Sequence, residues 1–278
     1  MTDESVAAAA ESARAKAAFL QSHPLGYLVL SALAGIYVGF GIVLIFAVGA
    51  PLLATNSPVA KLAMGASFGI ALSLVIFAGS ELFTGNNMVM TIGVLRRTAS
   101  PAALIAVWLL SFAGNLLGSL ALAWLIARSG VLGAAPHLAI VEKTVATKMS
   151  LPFGTLFVRG ILCNWLVCLA VWCALRAKSD SGKLILIFWC LFAFIAAGFE
   201  HSVANMTLLS IALFQPHGAA VSVAGFVHNM VPVTLGNIVG GGLFVGCAYW
   251  LTSQPLRLPR PSAAAERAHP VAESAGGD

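Results

Sequence analysis

Charge is what this chain is short of. Of its 278 residues only 9% are Asp, Glu, Lys or Arg, while 59% are hydrophobic. Soluble domains carry about a quarter charged residues, so a water-facing surface of ordinary extent is excluded. The 15 Lys and Arg against 10 Asp and Glu leave a net charge of +5, which mostly reflects basic loops. There is no basic stripe and no soluble binding module, which excludes nucleic acid as a partner. The first twenty residues hold Asp3, Glu4 and Glu11 and lack a basic region followed by an apolar core, so no cleavable signal is expected. The five cysteines, at 163, 168, 173, 190 and 247, all lie in apolar segments and show no zinc-ligand spacing. Residues five apart on a helix face different ways. They read as small buried apolar residues, so neither a metal site nor a disulfide is expected.

What fills the chain instead is a series of apolar runs. A helix needs about 20 such residues to cross a bilayer, and runs of that order lie near 26–48, 62–95, 102–126, 151–175, 184–214 and 221–251. The fold class expected is an all-α polytopic membrane protein with six transmembrane helices. Residues 1–23 read as an Ala-rich surface helix at the membrane boundary, closed by His23-Pro24. Residues 24–252 form the six-span domain. Within it, Pro51 to Pro58 and Gln215 to Gly218 are expected to be turns, and 128–150 a polar connector. The stretch 253–278 reads as a disordered cytoplasmic tail. Ten Lys and Arg fall on the side of the termini and five, Lys61, Arg128, Lys143, Lys148 and Arg159, on the other. That bias places both termini in the cytoplasm, with Lys143, Lys148 and Arg159 clustered outside where they attract anions.

Two spans contain polar interruptions. In the fifth, Gly198-Phe199-Glu200-His201-Ser202-Val203-Ala204-Asn205-Met206 separates two apolar runs too short to span alone. The second, 62–95, is too long for one straight helix and carries its own interruption, Gly79-Ser80-Glu81-Leu82-Phe83-Thr84-Gly85-Asn86-Asn87. Titratable groups at membrane depth cost at least about 2.5–3.5 kcal/mol each on insertion scales and by default mark function. A helix broken there is tolerated where its freed backbone is buried in protein or lines a wet cavity. A permeation site satisfies both conditions; a kinked helix whose polar groups satisfy one another in a dry bundle is the alternative.

The interruptions also repeat. Gly79, Glu81 and Asn86 match Gly198, Glu200 and Asn205 at a constant offset, and Gly114-Asn115-x-x-Gly118 matches Gly236-Asn237-x-x-Gly240 at nearly the same one. Spans one to three therefore recur as spans four to six. Because three is odd, the second copy is inverted, and such repeats put the site at the midplane between paired broken helices two and five. The glycines, with Gly35-x-x-x-Gly39, also read as small-xxx-small patterns for close helix packing.

At these residues the chain resembles the formate–nitrite transporter family. The resemblance rests on Gly79-Ser80-Glu81-Leu82-Phe83-Thr84-Gly85, Cys163-Asn164-Trp165-Leu166-Val167-Cys168 and Gly198 to Met206, and covers about 24–250. The first two runs are closer to the nitrite branch than to the formate branch. The resemblance implies an aquaporin-like protomer, a homopentamer in a bacterial cytoplasmic (inner) membrane, and a pore in each protomer for small monovalent anions of weak acids. It implies His201 as the central histidine, Thr84 as the threonine facing it, Asn164 as a pore asparagine and Lys148 as a vestibule lysine. The apolar constrictions would be Phe68, Leu72, Leu82, Phe83 and Phe194. Glu81, Glu200, Asn86 and Asn205 would have structural roles in the loops, Glu200 holding loop backbone.

The chemistry expected is transport, with no catalytic step and no cofactor. Partners are nitrite or a similar anion, protons, the lipid bilayer and further copies of the chain. A bare ion in hydrocarbon faces an idealised Born cost of order 20 kcal/mol, several after relaxation, so an apolar constriction rejects it unless it is neutralised. His201 is the one mid-membrane group with an unperturbed pKa, about 6.5, suited to that exchange. Lys148 would draw nitrite in, Thr84 and Asn164 would hold its oxygens, and His201 would donate a proton or a strong hydrogen bond. Plainer readings stand beside these: His201 bonded to backbone in a dry core, Asn164 as interhelical glue, Lys148 as a connector lysine, Thr84 bonded back to its own helix. Formate and hydrosulfide are rival cargoes on the same scaffold. A neutral-solute pore would need paired Asn-Pro-Ala loops, which are absent. A haem enzyme using His201 and His228 would have too few ligands for the usual arrangement.

Overall fold

A computed structural model describes residues 2–254. The expected tail therefore lies, from residue 255 onward, outside the described residues. Among those described there are no strands; the chain is a succession of helices. They are α1 (Thr2–Ser22), α2 (Pro24–Ala54), α3 (Ala60–Ser67), α4 (Ile70–Phe77), α5 (Phe83–Leu95) and α6 (Pro101–Ser129). Then come α7 (His137–Ser150), α8 (Phe153–Arg176), α9 (Asp180–Ala197), α10 (Ser202–Phe214) and α11 (Val223–Ile238). The last continues as a π-helical segment, Val239–Cys247, and ends in α12 (Ala248–Thr252). Six stretches are long and apolar enough to cross a membrane: Pro24–Ala54, Ala60–Phe77, Pro101–Ser129, Phe153–Arg176, Asp180–Ala197 and Val223–Thr252.

Local chemistry sets several of the boundaries. The Ser100, Ser179 and Ser222 hydroxyls accept from the backbone N–H groups of Ala103, Gly182 and Gly225, capping α6, α9 and α11. One boundary differs from expectation. The turn expected from Pro51 does not begin there, because α2 runs through Pro51 to Ala54. Proline removes the N–H that would bond the carbonyl four residues earlier. Here that carbonyl, Ala47 O, faces His137 Nε2 from α7 at 3.3 Å, so the group is not orphaned.

The polar connector expected over 128–150 contains a helix, α7. Its buried face is Val141, Val145 and Met149, four-residue steps that mark one side of a helix. α1, read as a surface helix at the membrane boundary, also has a packed face. Val6, Ala9, Ala10 and Ala13 are buried against the body, largely on α5. Thr98 Oγ1 donates to Ala10 O at 2.8 Å and Arg96 pairs with Asp3 at 2.8 Å, fixing its outer edge.

The packing repeats along the chain. α2 packs on α6, and α8 on α11. Each close crossing depends on absent side chains: a Cβ on Gly118 would run into Ala32 O, and one on Gly240 into Ile161 O. The short helices after the breaks cross over, α10 lying on α6 and α5 on the π-helical end of α11. α1 and α7 sit correspondingly against α5 and α10.

Candidate functional site

Both interruptions are built from the same parts. α4 is followed by Gly79 at φ 76° and α9 by Gly198 at φ 77°. This left-handed conformation suits glycine, since a Cβ would crowd the following carbonyl. Leu82 and His201, both extended, then open the next helices as N-caps, at φ −93°, ψ 121° and φ −106°, ψ 119°. The non-helical stretch is thus four or five residues, shorter than the polar nonapeptides.

Breaking a helix exposes backbone groups that hydrocarbon cannot satisfy. Asn115 and Asn237 take them up. Asn115 Nδ2 donates to Ser31 O at 2.7 Å and Glu81 O at 2.9 Å, and its Oδ1 accepts from Phe83 N at 2.9 Å. Asn237 Nδ2 donates to Gly160 O at 2.8 Å and Glu200 O at 3.0 Å, and its Oδ1 accepts from Ser202 N at 2.9 Å. Glu81 N donates to Leu30 O and Glu200 N to Arg159 O, both at 3.2 Å. The Gly-Asn pattern that read as packing therefore also carries the clamp on each break.

Glu200 was expected to hold loop backbone; its carboxylate, like that of Glu81, binds side chains instead. Glu200 accepts from Lys148 Nζ at 2.8 and 2.7 Å and from Asn205 Nδ2 at 2.7 Å. Glu81 accepts from Lys16 Nζ at 2.7 and 2.6 Å, from Tyr27 Oη at 3.0 Å and from Asn86 Nδ2 at 3.1 Å. Backbone satisfaction had already been assigned to the asparagines, which leaves the carboxylates free for cations. Lys16 was not among the expected site residues. It continues the buried line Val6, Ala9, Ala13 at helical spacing, so the missed signal was a lysine on the apolar face of α1.

His201 and Thr84 meet between the two breaks. Thr84 Oγ1 lies 3.1 Å from His201 Nε2. His201 Nδ1 accepts from Ala204 N at 3.1 Å, capping α10. A nitrogen that accepts carries no proton, so the neutral ring holds its proton on Nε2, facing Thr84. Phe194 stacks on the ring at 5.9 Å and 16°.

Asn164 is placed differently from expectation. Its Nδ2 points at Thr84 O at 3.1 Å, Asn87 Oδ1 at 3.1 Å and Asn237 O at 2.6 Å. An amide nitrogen has two hydrogens, so three acceptors leave none for an anion. Cys168 Sγ also donates to Thr84 O, at 3.3 Å. Asn164 therefore holds the backbone behind Thr84. Close passage of the π-helical segment makes this possible, since a Cβ on Gly241 would meet Asn164 Nδ2 at 2.6 Å.

Four cavities lie in series. One of about 360 Å³ on the α1 side includes Lys16, Glu81, Leu72 and Leu82 in its wall. Leu72 and Leu82 also bound a central chamber of about 10 Å³, closed further by Phe68, Phe194 and His201. That is about the space one water needs. Phe194 and His201 then face a cavity of about 130 Å³ that also touches Lys148 and Gly198. Those two residues open onto a vestibule of about 380 Å³ with Lys143, Arg159 and Glu200. Phe68 and Phe194 meet edge to face at 5.6 Å. Of the five expected constriction residues, Phe83 does not line the chamber. It packs edge to face on Phe112 at 5.2 Å while its N–H serves the Asn115 clamp, which turns it toward α6. His201 is 4% exposed but borders both the chamber and the cavity beyond. His228 lies away from it, with Nε2 2.9 Å from Leu151 O. The cysteines are free, with 163 and 168 buried.

Comparison with known proteins agrees with this architecture. The sequence profile of the family described as Formate/nitrite transporter matches residues 3–251. The Nitrite transporter NirC of Salmonella typhimurium is 46% identical over 241 residues, 87% of this chain and 88% of that protein. A Probable formate transporter of Methanothermobacter thermautotrophicus is 42% identical over 267 residues, 90% of this chain and 97% of that one. Among solved structures, an FNT family ion channel superposes with a TM-score of 0.86 at 45% identity, covering 91% of this chain and 99% of its own. A pentameric formate channel with formate bound gives 0.73 at 30% identity, covering 82% and 96%.

Proposed function

The chain belongs to the formate/nitrite transporter family, and from that premise we propose that it is a multi-pass inner-membrane protein that carries nitrite through a pore in each protomer of a homopentamer. The observation that carries the pore reading is the position of His201, at the boundary between a one-water chamber and a cavity leading to a cationic vestibule. Nitrite as cargo is supported by the 46% identity to a nitrite transporter. Formate is the second reading, supported by the 42% identity to a Probable formate transporter over nearly its whole length. Hydrosulfide shares the same chemistry of a small weak-acid anion.

The route follows the cavities. An anion enters beside Lys148, whose charge is already shared with Glu200 at 2.7 Å, and reaches His201. The resting ring offers its Nε2–H, and the Thr84 hydroxyl stands beside it. The anion shares charge with that donor and crosses the Phe194, Phe68, Leu72 and Leu82 wall as the neutral or nearly neutral acid. The wall is closed at rest, so passage requires those side chains to swing. Relay of a proton through the ring requires Nδ1 to gain one, which in turn requires the Ala204 N–H to let go. Lys148, Glu200 and Asn205 fix one break, Lys16, Glu81 and Asn86 the other, and Asn164 fixes Thr84.

The two halves are related as an inverted 3+3 repeat, a reading supported by the matching clamps and by the exchange of α5 and α10. The lysine and arginine bias supports cytoplasmic termini and an outward α7 vestibule. Residues 1–23 then form a docked cytoplasmic helix and 24–252 the channel domain.

The test is flux of nitrite, formate and hydrosulfide into proteoliposomes as pH is varied, with His201→Asn alongside. Asn keeps an oxygen that can cap Ala204 but has no titrating group. Nitrite flux should fall as pH rises, and this pH dependence should flatten in the variant. An unchanged pH profile in folded His201→Asn protein would remove the relay.

A further inference from the structure

The two vestibules are nearly equal in size, about 360 and 380 Å³, and each contains one lysine–glutamate pair. Their charge balance is not equal. Lys16 and Glu81 are the only charged residues in the wall on the α1 side, so that wall sums to zero. On the α7 side Lys143, Lys148 and Arg159 stand against Glu200 alone, three minus one, or +2. Glu142, the acid nearest in sequence, is turned away, its Oε1 accepting from Gly218 N at 2.7 Å. Lys148 is neutralised locally by Glu200. The surplus therefore belongs to Lys143 and Arg159, whose side chains make no hydrogen bond or ion pair among the described residues.

From this asymmetry we propose that the α7 vestibule is a binding site for doubly charged tetrahedral oxyanions, sulfate or hydrogenphosphate, which plug the pore from that side only. The proposal rests on the permeation reading above and adds an inhibitor class to it. A water occupies about 30 Å³ of liquid, so a cavity of about 380 Å³ admits such an ion with part of its hydration. Two uncompensated cations attract a dianion twice as strongly as nitrite. The same ion cannot go further. The chamber beyond holds about one water, and a single imidazole cannot supply the two protons a dianion needs to become neutral. A monovalent weak acid is thus drawn in and passed, while a dianion is drawn in and held. On the α1 side no surplus charge exists to hold it.

Removing one cation about 6 Å from the ion, with water-like screening and low salt, should weaken a dianion roughly tenfold and a monoanion roughly threefold. The experiment is nitrite uptake in right-side-out and inverted membrane vesicles containing the full chain. Sodium sulfate is compared with sodium gluconate at equal ionic strength. Sulfate should raise half-saturating nitrite when presented to the α7 face and leave it unchanged at the α1 face. Arg159→Gln should weaken the block roughly tenfold, the Lys143→Gln/Arg159→Gln double variant should abolish it, and Arg159→Lys should restore most of it. Titration calorimetry of sulfate with the purified protein gives a readout independent of transport, and the double variant should lose the binding heat. Equal block from both faces, block no greater than with gluconate, or sulfate heat unchanged in the double variant each overturns the proposal. If neither nitrite nor formate is carried, the transport reading fails and calorimetry still decides the site. If nitrite is carried and sulfate is inert, only the plug is lost.

Discussion

The Leu82 break and the His201 break share a scaffold and differ in chemistry. Both follow a left-handed glycine, both are clamped by an asparagine from the last span of the same half, and both hold a glutamate paired to a lysine. The N-cap positions have nearly the same backbone angles, yet one carries leucine and the other histidine. Two residues on, the order reverses: Thr84 follows Leu82, while Val203 follows His201. The polar members of the two pairs, Thr84 and His201, meet at 3.1 Å. Interrupting the helix is the task the two sites share; a single imidazole is placed at only one of them. Two imidazoles facing one chamber would add a second desolvated titrating group for no further neutralising capacity toward a monovalent anion.

The largest expected effect tests the shared part. Asn115→Ala strands Glu81 O and Phe83 N, and Asn237→Ala strands Glu200 O and Ser202 N, while the helical carbonyls of Ser31 and Gly160 keep their bonds within α2 and α8. At about 1–3 kcal/mol per unsatisfied group, two such groups should cost each variant about 2–6 kcal/mol, seen as a lower unfolding temperature in detergent. A large difference between the two variants would mean the halves are not equivalent in load. Next come the ion pairs. Glu200→Gln leaves Lys148 facing a carboxamide at a carboxylate site only 2% exposed, whereas the Glu81 carboxylate is 12% exposed. Removing one partner of a buried pair costs about 3–5 kcal/mol, so Glu200→Gln should approach that range and Glu81→Gln fall below it, by the same measurement.

The comparison is sharpened at the N-caps. His201→Asn should reduce nitrite flux at least tenfold at neutral pH and flatten its pH dependence with little change in stability. Leu82→His should add no new titration to the flux profile, because the position that corresponds to Thr84 in the other break holds Val203, which carries no hydroxyl. Both are read in proteoliposomes; a new inflection in the Leu82 variant would contradict the one-sided assignment. The smallest effect is at the glycines. Nothing stands within 4 Å of a Cβ on Gly79 or Gly198, so alanine pays only the left-handed penalty of about 1–2 kcal/mol, and the two losses should match.

Much of this was legible in one dimension. Apolar run lengths gave the six spans, and glycine, glutamate and asparagine at a constant offset gave the paired breaks. His201 stood out as a titratable group where hydrocarbon makes charge costly, and the family resemblance pointed to Thr84. The helix α7 and the docking face of α1 were also written in four-residue steps, though mixed with enough charge to read as surface. What linear order could not reveal was how donors are spent. Asn164 and Asn237 are both asparagines in apolar helices, but only neighbours about 80 and 40 residues away in sequence decide that one braces Thr84 and the other clamps a break.

Hydropathy and spacing are local properties, so the sequence alone determined that the chain crosses the membrane, where its helices snap and which side chains are anomalous at depth. Hydrogen-bond saturation and cavity walls are shared among segments far apart in the chain, so only the tertiary structure decided that Asn164 is committed, that Phe83 faces α6, that Lys16 answers Glu81 and that one vestibule holds surplus positive charge. An amide has two hydrogens wherever it sits, and only the folded neighbourhood says which acceptors claim them.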